Sequence, residues 1–139
     1  MKLVDTDVFT LVLAGNPSYS DRYDAVEPNS RSIAVVTAEE ILRGRLASIR
    51  AAQSKSDPNA LAFAYKMLRA SIIELRKVAI LNYTPAAHQH YLRLKSHKIR
   101  IGTRDLRIAS IALAHDATLI TRNRRDFDLV PSLQLEVWN

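Results

Sequence analysis

Four acidic side chains fall beside the ends of elements that the sequence predicts: Asp5, Glu40, Asp105 and Asp126. Asp5 closes the short run Lys2-Leu3-Val4, which reads as a strand. A strand ending in a carboxylate puts negative charge at the carboxyl edge of a sheet, where open α/β sheets bind ligands. Several carboxylates gathered at such an edge suit a hard, oxygen-seeking cation such as Mg²⁺ or Mn²⁺.

Each acid also has a plainer role open to it. Asp5 suits the N-cap of a following helix. Asp7 would lie in that helix's first turn, where the macrodipole favours acids. Thr37-Ala-Glu-Glu40 fits a capping box in which Glu40 reaches back to the Thr37 amide, with Glu39 solvated. Asp105 follows a Thr103 cap but lines up with Ile108, Ala109 and Ala112. It therefore points toward a buried face, where a carboxylate without a partner is costly. Asn123 reads as a turn residue and Asp126 as a cap or loop acid, with Phe127 anchoring that loop on the core.

The elements that must position these residues follow from periodicity. Lys2–Val4 predicts a strand and Thr6–Leu13 a short helix, stopped by Gly15-Asn16-Pro17. Residues 16 to 31 are polar and predict a loop with at most a turn of helix. Ser32–Thr37 is apolar and β-branched, so a buried strand. A helix then carries Ile41, Leu42, Leu46 and Ile49 on one face. Pro58 opens a long helix to about Ala79, and Ile80–Tyr83 is short enough for a strand. Thr84-Pro85 supplies a cap and a first-turn proline for a helix ending near His97. Thr103 begins another helix, Ala117–Thr121 is a buried strand, and Leu133–Trp138 alternates like a last, edge strand. The order implies an α/β layer fold with a central, mostly parallel sheet. The extra apolar residues of the long helix, Phe63, Tyr65, Met67 and Ile73, suit core packing first and a partner surface second.

Composition narrows the chemistry. The chain has 139 residues, enough for one domain with its own core. It has no cysteine, which excludes disulfides, thiolate-held zinc, iron–sulfur clusters and cysteine nucleophiles. Asp5 and Asp7 interrupt any signal-peptide core, and no apolar stretch approaches the ~20 residues of a membrane helix, so a cytoplasmic protein is expected. With three glycines there is no phosphate-binding Gly-rich loop, and no serine sits in a nucleophile elbow. His88 and His90, two apart on a helix, face different ways and read as surface residues. The net charge of +6 favours a polyanionic partner such as nucleic acid. The cations gather in two stretches flanking the acids: Arg93 to Arg107, and Arg122, Arg124 and Arg125.

Together these pieces resemble the PIN-domain family, and within it the VapC-type toxin ribonucleases of toxin–antitoxin pairs. The matching segments are Leu3-Val-Asp5-Thr-Asp, Ile33-Ala-Val-Val-Thr-Ala-Glu-Glu40-Ile-Leu-Arg-Gly44, Asp105-Leu-Arg-Ile-Ala109-Ser-Ile-Ala-Leu113 and Leu119-Ile-Thr121-Arg-Asn123-Arg-Arg-Asp126-Phe127. The resemblance implies a PIN-like three-layer domain spanning residues 1–139, with a four- or five-stranded sheet flanked by helices. It also implies Mg²⁺- or Mn²⁺-dependent cleavage of RNA, with transfer or ribosomal RNA as the target of many relatives. Carried over, Asp5, Glu40 and Asp105 are the core acids, and Glu40 is selected over Glu39 by the glycine four residues later. Asp126 is the expected fourth acid, supported by Asn123 and Thr121. Asp5 and Asp105 are the expected metal ligands. Arg104, Arg107, Arg122 and Arg124 are expected to hold RNA phosphates. A small antitoxin and a homodimer are the implied partners. Two rivals stay open. Asp5-Thr-Asp7 is similar to the Asp-x-Asp start of haloacid-dehalogenase-type phosphatases, with Asp5 as nucleophile, and a basic chain also suits a non-catalytic RNA-binding module.

Overall fold

Five short strands form one parallel sheet in the computed structural model, which describes residues 1–139. In chain order the elements are β1 (Lys2–Val4), α1 (Thr6–Leu13), α2 (Pro17–Ala25), β2 (Arg31–Ala34), α3 (Val35–Gln53), α4 (Pro58–Leu75), β3 (Ala79–Leu81), α5 (Pro85–Ser96), α6 (Thr103–Ala114), β4 (Thr118–Thr121), α7 (Arg124–Phe127) and β5 (Leu135–Val137). A 3₁₀ turn, Pro28–Ser30, leads into β2. The strand order is β3-β2-β1-β4-β5, and every pairing is parallel. The order reverses between β1 and β4, and a crevice at the carboxyl ends of those strands is where such sheets bind ligands.

Both sheet faces are covered, as a parallel sheet requires. Successive side chains of a strand point to opposite faces. Leu3, Ala34 and Leu119 pack with α5, α6 and Phe127. Val4, Ile33 and Ile120 pack with Val8 and Phe9 of α1, Tyr19 of α2, Leu75 of α4 and Trp138. The far halves of α3 and α4 form a small separate core of Ile49, Ala52 and Ala64.

Several boundaries depart from expectation, each for a local reason. Residues 17–25 are helical rather than loop, because the Asn16 side chain accepts from the Ser18 amide and Pro17 occupies the first turn. The strand expected to reach Thr37 stops at Ala34, and α3 begins at Val35. Val36 and Thr37, β-branched but buried, are therefore helical, and core packing overrides their strand preference. Thr37 is then inside α3 and cannot be its cap; the N-cap is Ala34, without a side-chain hydrogen bond, so the capping box with Glu40 does not form. Likewise Gly102, not Thr103, is the N-cap of α6. The long helix ends at Leu75 rather than near Ala79, and β3 starts at Ala79. On α4, Phe63 and Tyr65 are 61% and 51% exposed, so they are surface and not core. No helix is long and apolar enough to cross a membrane.

Candidate active site

Asp5 stands where β1 turns into α1, at the point where the sheet order reverses. It is 4% exposed. Its Oδ1 accepts from the Val8 amide at 2.9 Å, which caps α1. Its Oδ2 accepts from the Thr121 hydroxyl at 2.5 Å, and Thr121 ends the neighbouring strand β4. Capping and site-building are thus compatible in one side chain. Burial raises its pKa from 3.8 to about 6, against the opposing hydrogen bonds from Thr121 and Val8. The charges of Asp7 and Asp105 push the same way as burial.

The other acids arrive from both sides. Glu40 lies on the second turn of α3, which leaves the end of β2 beside β1. The Thr6 hydroxyl donates to Glu40 Oε1 at 3.1 Å and lies 2.9 Å from the Thr37 hydroxyl, tying α1 to α3. The guanidinium of Arg104 stands 3.6 Å from Glu40 Oε2. Asp105, in the first turn of α6, is half-buried and makes neither a hydrogen bond nor an ion pair. Its pKa is also raised to about 6, first by burial and then by the charges of Asp7, Glu40 and Asp126.

Asn123 and Asp126 resolve into one device. Asn123 caps α7: its Oδ1 accepts from the Asp126 amide at 3.2 Å, and its Nδ2 donates to Asp126 Oδ2 at 2.9 Å. Thr121 Oγ1 accepts from the Asn123 amide at 2.9 Å. One hydrogen-bonded chain therefore runs Asp5–Thr121–Asn123–Asp126 across the ends of β1 and β4. Phe127, 1% exposed, pins α7 to the core from the next position. Truncating such a buried ring to alanine costs about 3–5 kcal/mol.

The sequence singled out Asp5, Glu40, Asp105 and Asp126, and the fold brings all four to one sheet edge. It gave too little weight to Asp7, whose charge reaches both Asp5 and Asp105, and it missed Thr6 altogether. Both flank Asp5, and their only signal was the first turn of a helix starting at a carboxylate. The expected RNA-binding arginines scatter more widely. Arg104 meets Glu40, and Arg107 lies 5.4 Å over the Tyr91 ring. Arg122 lies 5.6 Å over Tyr19, and Arg124 stands 3.9 Å from Asp128.

No three acidic or histidine side chains converge tightly enough to enclose an ion by themselves. Asp5 and Asp105 could nonetheless offer oxygen donors to such an ion: the charge of Asp105 reaches Asp5, Asp105 has no protein partner, and further carboxylates surround it. Mg²⁺ keeps several waters and takes few protein ligands, so such a pair suits it.

Residues 2–133 match the family model described as PIN domain. The chain belongs to the PIN-domain family. Among its relatives, Ribonuclease VapC2 of Rickettsia felis is 26% identical over 99% of this chain and 97% of its own length. Ribonuclease VapC1 of Haemophilus influenzae strain R2866 is 27% identical over 98% of this chain and 96% of its own. The crystal structure of Rickettsia felis VapBC2, bound to a DNA fragment from their promoter, superposes with a TM-score of 0.74. That match is 25% identical and covers 99% of this chain and 98% of the other. The all-parallel five-stranded sheet meets the fold expected of a PIN-like domain. Family membership sets aside the phosphatase reading of Asp5.

Proposed function

We propose that this PIN domain is a VapC-type toxin: an endoribonuclease that hydrolyses RNA phosphodiester bonds with the aid of Mg²⁺ or Mn²⁺. The single observation that carries the proposal is Asp105. A half-buried carboxyl without a protein partner, crowded by Asp7, Glu40 and Asp126, is an unbalanced charge that a divalent cation and a phosphate would balance. Full-length similarity to two proteins named as VapC ribonucleases supports the choice of reaction.

Asp5 and Asp105 would hold the cation. When bound, it supplies a water of lowered pKa and neutralises charge on the scissile phosphate. Glu40, fixed by Thr6 and Arg104, would orient the attacking water and take its proton. Asp126, fixed by Asn123, would hold the same water from the β4 side. The water oxygen joins phosphorus, the bond to the 3′ oxygen breaks, and that oxygen takes up a proton. The products are a 5′-phosphate and a 3′-hydroxyl. Arg104, Arg107, Arg122 and Arg124 would hold flanking phosphates, and the net charge of +6 would draw the RNA in.

Such an activity needs restraint. Solved relatives are toxin–antitoxin complexes, which supports a small antitoxin as partner. The exposed Phe63, Tyr65 and Ile72 of α4 offer an apolar surface for it or for a second copy in a homodimer. Transfer or ribosomal RNA in the cytoplasm is the substrate class this reading assigns. Incubating the purified chain with single-stranded RNA tests it. Cutting with Mg²⁺ or Mn²⁺ that stops in excess EDTA is the expected result. RNA bound but uncut in all conditions would instead make the chain a binding module.

A further inference from the structure

Tyr83, His88 and Arg107 line a pocket that the acidic site does not use. Val35, Val36 and Glu39 complete its wall, and its volume is about 400 Å³. Pockets of ~300–1,000 Å³ take small organic groups. Tyr83 follows the end of β3 and Val35 follows the end of β2, so the pocket opens at the same sheet edge as the acids.

Its rings are ordered. The exposed His88 ring lies nearly parallel to Tyr91, 5.8 Å between centroids and 18° between planes. Tyr83 meets it edge-on at 5.8 Å and 68°, and the Tyr83 hydroxyl is 2.9 Å from His88 Nδ1. Arg107 lies over Tyr91 at 5.4 Å and bears on the Tyr83 hydroxyl. Three residues earlier on α6, about 4.5 Å along the axis, Arg104 touches Glu40. The two arginines therefore lead from the acids to the rings. A fixed aromatic surface beside a cationic track is how single-stranded nucleic acid is held: bases stack and arginines take phosphates. A carboxylate-bearing peptide would use the arginines and leave the rings idle; a nucleotide uses both.

We propose that this pocket receives one unpaired nucleobase of the RNA, close along the strand to the scissile phosphate. The base stacks on the face of His88 turned away from Tyr91, with Tyr83 against its edge, and Arg107 holds the adjoining phosphate. The proposal rests on the ribonuclease reading and adds a place where the strand is gripped.

The test uses the full chain carrying Asp105→Asn, so that RNA is bound without being cut. The probe is a fluorescein-labelled single-stranded RNA, read by anisotropy, together with the same strand made abasic at one position at a time. His88→Ala and, separately, Arg107→Ala should each weaken binding of the intact strand, His88→Ala by about 5- to 150-fold, the span of one lost base stack. One abasic position should cost a similar factor in the parent, and His88→Ala should cost nothing more on that strand. Unaltered circular dichroism of the variants keeps the comparison fair. Equal affinity of His88→Ala and parent for every strand overturns the proposal, as does a loss equally large on all the abasic strands. Unchanged RNA affinity with weaker capture of a co-expressed antitoxin would give the pocket to protein instead. If the chain with Asp105 intact never cuts RNA, yet the Asp105→Asn chain shows the abasic pattern, the ribonuclease reading falls and the pocket stands.

Discussion

Replacing Asp5 with asparagine should make the metal-free protein more stable at neutral pH while removing its activity. Asp5 is 4% exposed, and its pKa is raised from 3.8 to about 6. The folded state therefore holds its proton more tightly than the unfolded chain does. The stabilisation from that proton is full below pH 3.8 and is lost as pH rises through about 6. At ~1.36 kcal/mol per pKa unit, the ionised carboxylate costs the folded state ~3 kcal/mol at neutral pH. Asparagine is uncharged, remains a good N-cap for α1, and can still pair with Thr121. In urea with EDTA present, an m-value of ~2 kcal/mol per M turns ~3 kcal/mol into a midpoint higher by ~1.5 M for Asp5→Asn at about pH 7.5. Well below pH 3.8 the two midpoints should coincide. Mg²⁺ at a hundred times its dissociation constant should restore about 2.7 kcal/mol to the parent alone. A variant no more stable than the parent at neutral pH would refute the reasoning. So would a gap that does not close on acidification.

Thr121→Val removes the donor to Asp5 and the acceptor for the Asn123 amide. It should destabilise the fold by ~1–3 kcal/mol in urea melts. It should also move the acidic limb of the pH–rate profile upward, because the Thr121 hydrogen bond holds the Asp5 pKa down. Arg104→Ala frees Glu40 from its cation. The slope of log affinity for single-stranded RNA against log salt should fall by ~0.7 if Arg104 holds one phosphate in the complex, with little change in melting.

The sequence was legible where local chemistry decides the structure. Val4 to Leu13 is such a case: a carboxylate that caps its own helix fixes both the end of β1 and the start of α1. Thr84-Pro85 is another, with Thr84 capping α5 through the Ala87 amide as its type suggests. Legibility failed where tertiary contacts decide. The run Ser32 to Thr37 carries strand propensity throughout, yet Val35 to Thr37 turn helical because Val36 must enter the core and Thr37 must meet Thr6. The Asn16-Pro17 start of α2 was locally readable, but the polar residues behind it masked it. At the site, charge type and position favoured Asp105 and left Asp5 open, while Glu40 and Asp126 were selected by the resemblance to the PIN-domain family. What joins them was not readable, since the hydrogen bonds of Thr121 to Asp5 and of Thr6 to Glu40 span 116 and 34 positions. The Asn123/Asp126 choice was an apparent rivalry in sequence; in space the amide caps α7 and steadies the acid.

The most direct test of the central claim is Mg²⁺-dependent cleavage of single-stranded RNA by the Asp105→Asn variant. That side chain makes no hydrogen bond or ion pair with the rest of the protein, so the variant should fold, melt no lower than the parent and still bind RNA. It should release no RNA fragments ending in a 5′-phosphate, whereas the parent releases them with Mg²⁺ and not with EDTA. Cleavage by the variant at the parent's rate would contradict the claim that this carboxylate edge is the active site.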